Sequence, residues 1–248
     1  MEERVKVNAK FKDRLFRLLF GAEENKQYLL QLYNAVNDTD YTDVNALQMT
    51  TIDDAIYMHM KNDSSFIIAS EMDLYEHQST YNPNMPLRGF LYFGHLYEKY
   101  VKNTGKNVYG RELIEIPTPR YVVFYNGTDE MPDETVLRLS DAFMKPDDTG
   151  GYEWTARMLN INKGHNRKLM EKCRPLKEYS DLIYLTRRYQ KEMEDKKAAI
   201  DKAVKEAETW ECLGAYLTNH RNEVIDVLLT EYDELLHENQ CREEGRRE

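Results

Sequence analysis

The sequence predicts a mixed α/β domain, a sheet flanked by helices, followed by a helical C-terminal region. Three observations lead there. Two segments near the start repeat apolar residues at helical spacing. Between residues 55 and 161, short runs rich in β-branched and aromatic side chains alternate with turn residues and one long helical pattern. From residue 166 onward the pattern is helical to the end. Strands interleaved with helices in this order bury their apolar faces against one another in layers.

The elements follow in chain order. Residues 9–20 place Phe11, Leu15, Phe16, Leu18, Leu19 and Phe20 at helical spacing, and Gly21 supplies a stop. A second amphipathic helix over 24–36 turns Leu29, Leu30, Leu32 and Tyr33 inward, and 37–40 is a polar loop. Residues 55–60 predict a strand, 61–63 a turn, 65–68 a second strand and 74–79 a third. Glu71 and Asp73 fall in the break between strands and read as turn residues. The prolines of 82–86 interrupt the chain, and Pro86 suits the first turn of a helix over 87–102. Its apolar residues are Phe90, Leu91, Leu96, Tyr97 and Tyr100. Residues 119–127 predict a buried central strand ending in the turn pair Asn126 and Gly127; a turn at 147–151 and a strand at 153–161 follow. Residues 191–210 hold few apolar positions, which suits a helix on or leaving the surface. Residues 222–237 carry the stripe Val224, Val227, Leu228, Tyr232, Leu235 and Leu236. The expected organisation is one domain over 1–190, with 191–248 packing on it or extending from it.

Composition narrows the class. A chain of 248 residues with 41% hydrophobic and 31% charged residues can bury a core beneath a heavily charged surface. Most of its 18 tyrosines are expected at core edges with wet hydroxyls. Cys173, Cys212 and Cys241 are far apart and odd in number, which argues for a reducing compartment and against a disulfide framework or structural zinc. No apolar run can span a bilayer, and the charged first residues are unlike a signal peptide, so a cytoplasmic protein away from membranes is expected. The net charge of −10 weighs against constitutive tight DNA binding. It leaves room for locally clustered basic residues, such as Arg4, Lys6, Lys10, Lys12, Arg14 and Arg17.

The chemistry-bearing stretch runs from Asp63 to Gln78. Asp63 opens one short strand and Glu76 stands on the next, a strand and a turn away, so the two carboxylates can converge. Gln78, two residues beyond Glu76, points to the same face, while His77 points away. Such oxygen donors suit Mg²⁺ or Mn²⁺. A cation there would polarise a phosphodiester and lower the pKa of an attacking water. The bland alternative is that Asp63 occupies a turn and Glu76 faces solvent.

This segment resembles the active-site hairpin of the PD-(D/E)XK nuclease superfamily, in its branch of recombination-promoting nucleases and related transposases. The likeness extends to 10–21, 61–66, 76–88, 122–127, 159–166, 222–224 and 231–233, nearly the length of the chain. It implies a restriction-endonuclease-like mixed sheet and metal-dependent DNA cleavage tied to recombination or mobile elements. Carried over, Asp63 and Glu76 would be the metal ligands, and Gln78 would stand where most of the superfamily has Lys. A neutral amide orients by hydrogen bonding but supplies no charge. Another cation must then substitute, or activity is weak or lost. Arg88, Lys61, Lys10 and Lys12 are the candidates to meet the phosphate. DNA is the expected partner. Cutting both strands takes two centres, which makes a homodimer an expectation as well.

Rival sites are weaker. Asp53 and Asp54 lie at the far end of the first predicted strand from Asp63, and Asp13 reads as a solvated helix residue. His165 and Cys173 have nothing to orient them as a nucleophilic pair. Asn166 reads as a helix cap. Two further functions stay in play: a nuclease-fold module that binds DNA or a protein partner without cutting, and an assembly protein acting through residues 191–240.

Overall fold

The computed structural model describes residues 14–50, 64–147 and 149–230. Helix α1 spans Arg14–Phe20 and α2 spans Lys26–Asn37. Strand β1 is the short pair Gln48–Met49; β2 is Ser64–Ile68 and β3 is Glu71–Gln78. Helix α3, Met85–Thr104, leads to β4, Thr118–Tyr125. Strands β5, Glu134–Arg138, and β6, Thr155–Asn160, complete the sheet. Four further helices are α4 (Arg167–Lys172), α5 (Arg174–Glu192), α6 (Lys196–Ala207) and α7 (Gly214–Asn219), and residues 221–230 are also helical. The strand predicted over 55–60 lies outside the described residues.

Among the described residues the sheet has the order β1-β2-β3-β4-β6-β5. Its centre is parallel, β3 with β4 and β4 with β6, and its flanks are antiparallel. The mixed sheet arises because β2 and β3 are joined by a two-residue turn, whereas β3 reaches β4 through a helical crossover. Successive side chains alternate across the strands and so supply two cores. Met72, Leu74, Tyr121, Val123 and Tyr125 pack under α3 with Tyr92, Phe93 and Leu96. Phe66, Tyr75, Val122, Phe124 and Leu159 face the opposite side, against α1, α2 and α5.

Two expectations are corrected here and one open alternative is decided. Glu71 and Asp73 belong to β3, not to a break: the turn is Ala69 and Ser70, both with positive φ, and Ile68 pairs with Glu71 across it. Neither residue is Gly or Asn, the usual marks of such a turn, so the sequence carries no signal for it. Second, Phe90 and Leu91 are on the outer side of α3, with Gly89, Tyr92, Phe93 and Leu96 facing the sheet. Of the two arrangements open for residues 191–210, on the surface or leaving it, α6 takes the first, with one face packed on the core. Its Ala199, Ile200, Ala203, Val204 and Ala207 are fully buried in the same core as α1 and α5. Small residues let the helices approach closely there, so few large apolar positions are needed. Tyr75, Tyr125 and Tyr179 lie wholly within the core.

Candidate functional site

The strands β3, β4 and β6 run in the same direction and end level: Gln78 pairs with Tyr125, and Tyr125 with Asn160. The crevice beyond the carboxyl ends of parallel strands is where open α/β sheets receive ligands. Glu76 and Gln78 project from this edge on the α3 face, the side of Leu74 and Val123. Glu76 lies one residue beyond Tyr75, whose ladder partner is Ser64, the first described residue of β2. Asp63, Lys61, Lys10 and Lys12 lie outside the described residues, as do Asp13, Asp53 and Asp54.

Glu76 is buried, and its carboxylate is held from three directions. Arg88 Nη2 and Gln78 Nε2 both donate to Oε1, the latter at 3.2 Å. The Tyr121 hydroxyl donates to Oε2 at 2.7 Å. Burial, with the Glu76 charge beside it, raises the Tyr121 phenol well above its ordinary pKa, so it remains a donor. Burial disfavours the Arg88 cation, but the Glu76 carboxylate and the Tyr92 hydroxyl outweigh that and hold its pKa above the ordinary value. Arg88 reaches the site because the Pro86-primed first turn of α3 follows β3 closely. Gly89 then lets the helix lie flat on β4: a Cβ there would stand 2.4 Å from the Tyr121 ring.

On the opposite face of the same edge, Arg187 of α5 donates to Asn126 Oδ1 at 3.0 Å, to Asn162 Oδ1 at 3.3 Å and to the Asn126 carbonyl. Asn162 in turn donates to Asn160 Oδ1 and to the Gly127 carbonyl, each at 3.0 Å. Asn166 is the N-cap residue of α4, as its position predicted, and its carbonyl accepts from Met170 N–H, but its side chain donates to the Asn160 and Asp133 carbonyls instead of capping the helix. His77 faces the helices, with Tyr179 Oη 3.0 Å from its Nε2, as its alternation required. His165 Nδ1 lies 2.7 Å from Asp133, and burial pushes the Cys173 thiol up to about 12, so no thiolate nucleophile forms there.

A second buried carboxylate lies further back on β3. Asp73 is fully buried, and neither of its oxygens meets a hydrogen-bond partner among the described residues. Burial, reinforced by the Glu71 charge and opposed by Arg120, pushes its pKa up to about 8. Its neighbour Glu71 is satisfied by Tyr33 at 2.9 Å and Arg120 at 2.7 Å.

Sequence reasoning placed Glu76, Gln78 and Arg88 in one region, and they touch. It missed Tyr121, Tyr92 and Arg187. Tyr121 has the parity of Val123 in a strand already expected to be central, so its face was legible, but not that this strand would lie beside β3. Hard oxygen donors are present in Glu76 and Gln78, as a divalent cation requires. They do not form a ready cage, because a guanidinium already sits on Glu76. No group of three or more His, Cys, Asp or Glu suited to a metal occurs among the described residues. No helix of the described residues is long and apolar enough to cross a membrane. No family model, curated protein or solved structure matches the chain.

Proposed function

We propose that the chain is a metal-dependent DNA endonuclease, with Glu76 and Asp63 as cation ligands, Gln78 orienting water or phosphate, and Arg88 supplying the positive charge that Gln78 lacks. The observation that carries this is the meeting of Glu76, Gln78 and Arg88 on one carboxylate oxygen at the carboxyl edge of the parallel strands. Asp63 lies outside the described residues and enters this reading on the sequence resemblance. Mg²⁺ or Mn²⁺ would supply the Lewis acidity and the activated water. The link to recombination or mobile elements and the nuclease-like character of the fold rest on the sequence resemblance, and a homodimer rests on the two centres that cutting both strands takes.

The second reading is a catalytically weak or inactive module of the same fold that binds DNA or a protein partner. The saturation of Glu76 by Arg88, Tyr121 and Gln78 favours it. Supercoiled plasmid incubated with Mg²⁺, Mn²⁺ or EDTA separates the two. Nicking that needs metal and vanishes in both Asp63→Ala and Glu76→Ala supports the nuclease. Absence of nicking by folded wild-type protein supports the binding module, and undiminished nicking by both variants places the activity elsewhere.

A further inference from the structure

Strand β5 forms one edge of the sheet: among the described residues it pairs with β6 and with no other strand. Ladder bonds just beyond its two ends fix which way its main chain faces. Leu139 N–H donates to the Trp154 carbonyl at 2.8 Å, and Asn160 N–H donates to the Asp133 carbonyl at 2.9 Å. Bonded pairs alternate along an antiparallel ladder, so Thr135 and Leu137 turn their N–H and C=O groups to β6. Glu134, Val136 and Arg138 turn theirs outward, to the open edge. The pairing with β6 runs unbroken from Glu134 to Arg138, and the strand holds no proline, so neither a bulge nor a missing donor interrupts that outward row. The side chains of the same three residues are accessible: Val136 is 48% exposed, and the side chains of Glu134 and Arg138 are 44% and 55% exposed.

A second copy of this edge complements the first. Two antiparallel β5 strands related by a two-fold axis through Val136 set Val136 opposite its counterpart and Glu134 opposite Arg138 twice over. These are the residues whose main chains face outward, so this register forms hydrogen bonds at every such pair. Opposite charges directly across a ladder attract, and like charges repel. Sliding the register either way parts the opposite charges and then sets Glu134 against Glu134 or Arg138 against Arg138. Within one chain Glu134 is held by Arg157, while Arg138 lies 3.7 Å from Glu153, which leaves its guanidinium room for a closer carboxylate. We propose that β5 is a self-association surface, through which two copies of the chain join edge to edge into one continuous sheet centred on Val136. The proposal stands on the sheet edge alone and holds whether or not the chain cuts DNA. A five-residue strand buries little area, so the dimer is one that dissociates on dilution.

Sedimentation of the full chain over a concentration series reaching millimolar tests this. Wild-type protein should pass from monomer to dimer, whereas Glu134→Arg and Arg138→Glu should each stay monomeric, because each sets like charges against one another across the edge. An equimolar mixture of the two variants should dimerise again, since one chain then offers arginine at both positions and the other glutamate. A monomeric wild type, a dimer that either variant retains, or a mixture that stays monomeric would overturn the proposal. Should a variant fail to fold, wild-type protein decides by amide hydrogen exchange. The Val136 and Arg138 N–H groups should be protected at high concentration, as that of Leu137 is by β6, and should lose that protection on dilution. Fast exchange of both at every concentration would sink the idea.

Discussion

Asp73 makes the stability of this protein depend on pH in a direction opposite to that of most carboxylates. Its pKa is pushed up to about 8 in the folded chain against an ordinary 3.8, because burial with no hydrogen-bond partner among the described residues disfavours the ionised form. Below pH 3.8 folded and unfolded chains both hold the proton, and the contribution of Asp73 is fully retained. As the pH rises, the unfolded chain releases the proton and the folded chain does not. Folding must then take one up, so stability falls by ~1.4 kcal/mol per pH unit until the folded carboxyl itself ionises near pH 8. The loss is about 4 kcal/mol by pH 7 and on the order of 6 kcal/mol above pH 8. Asp73→Asn keeps the shape and removes the titration. Urea unfolding from pH 5 to 9 should show the variant gaining on wild type by ~1.4 kcal/mol per unit up to about pH 8, then levelling off. Any cost of the new amide is independent of pH and shifts the two curves by a constant. Parallel curves for the two proteins would refute the reasoning, since they would mean that Asp73 ionises in the folded state as it does in the unfolded one.

Other perturbations address the scaffold around the site. Glu178 is buried and accepts from the backbone N–H groups of Cys212 and Leu213, at 3.1 and 2.8 Å, as well as from Arg174. Glu178→Gln should therefore cost about 2–3 kcal/mol in urea unfolding and speed amide exchange at the start of α7. Replacing Ala69 and Ser70 by Asn and Gly relieves two non-glycine residues at φ 48° and 65°. The pair should gain about 1–2 kcal/mol in the same assay. Gly89→Ala forces a methyl to within 2.4 Å of the Tyr121 ring. Displacement of α3 should cost about 1–3 kcal/mol and reduce plasmid nicking as Arg88 and Tyr121 lose their positions on Glu76.

What local chemistry can determine was legible in the sequence. Helical spacing located α2, α3 and the C-terminal helices, and β-branched, aromatic runs located β2, β4 and β6. Parity along β3 put Glu76 and Gln78 on one face and His77 on the other, and a proline in the first turn placed Arg88 at the start of α3. These signals act over a few residues, so a single chain displays them. Other features depend on which segments become neighbours, and only the tertiary structure decided those. Tyr121 meets Glu76 because β4 lies parallel to β3, a pairing that no local pattern in either strand encodes. Asp73 looked like a turn residue because acidic side chains ordinarily avoid strands. It is buried because the Ala69–Ser70 turn extends β3 back past it. Helix α6 looked peripheral because burial was inferred from large apolar side chains, whereas its alanines bury the helix by close approach. In each case the deciding energy, burial of a side chain against residues distant in sequence, exists only once the chain has folded, and its sign cannot be read from the residue alone.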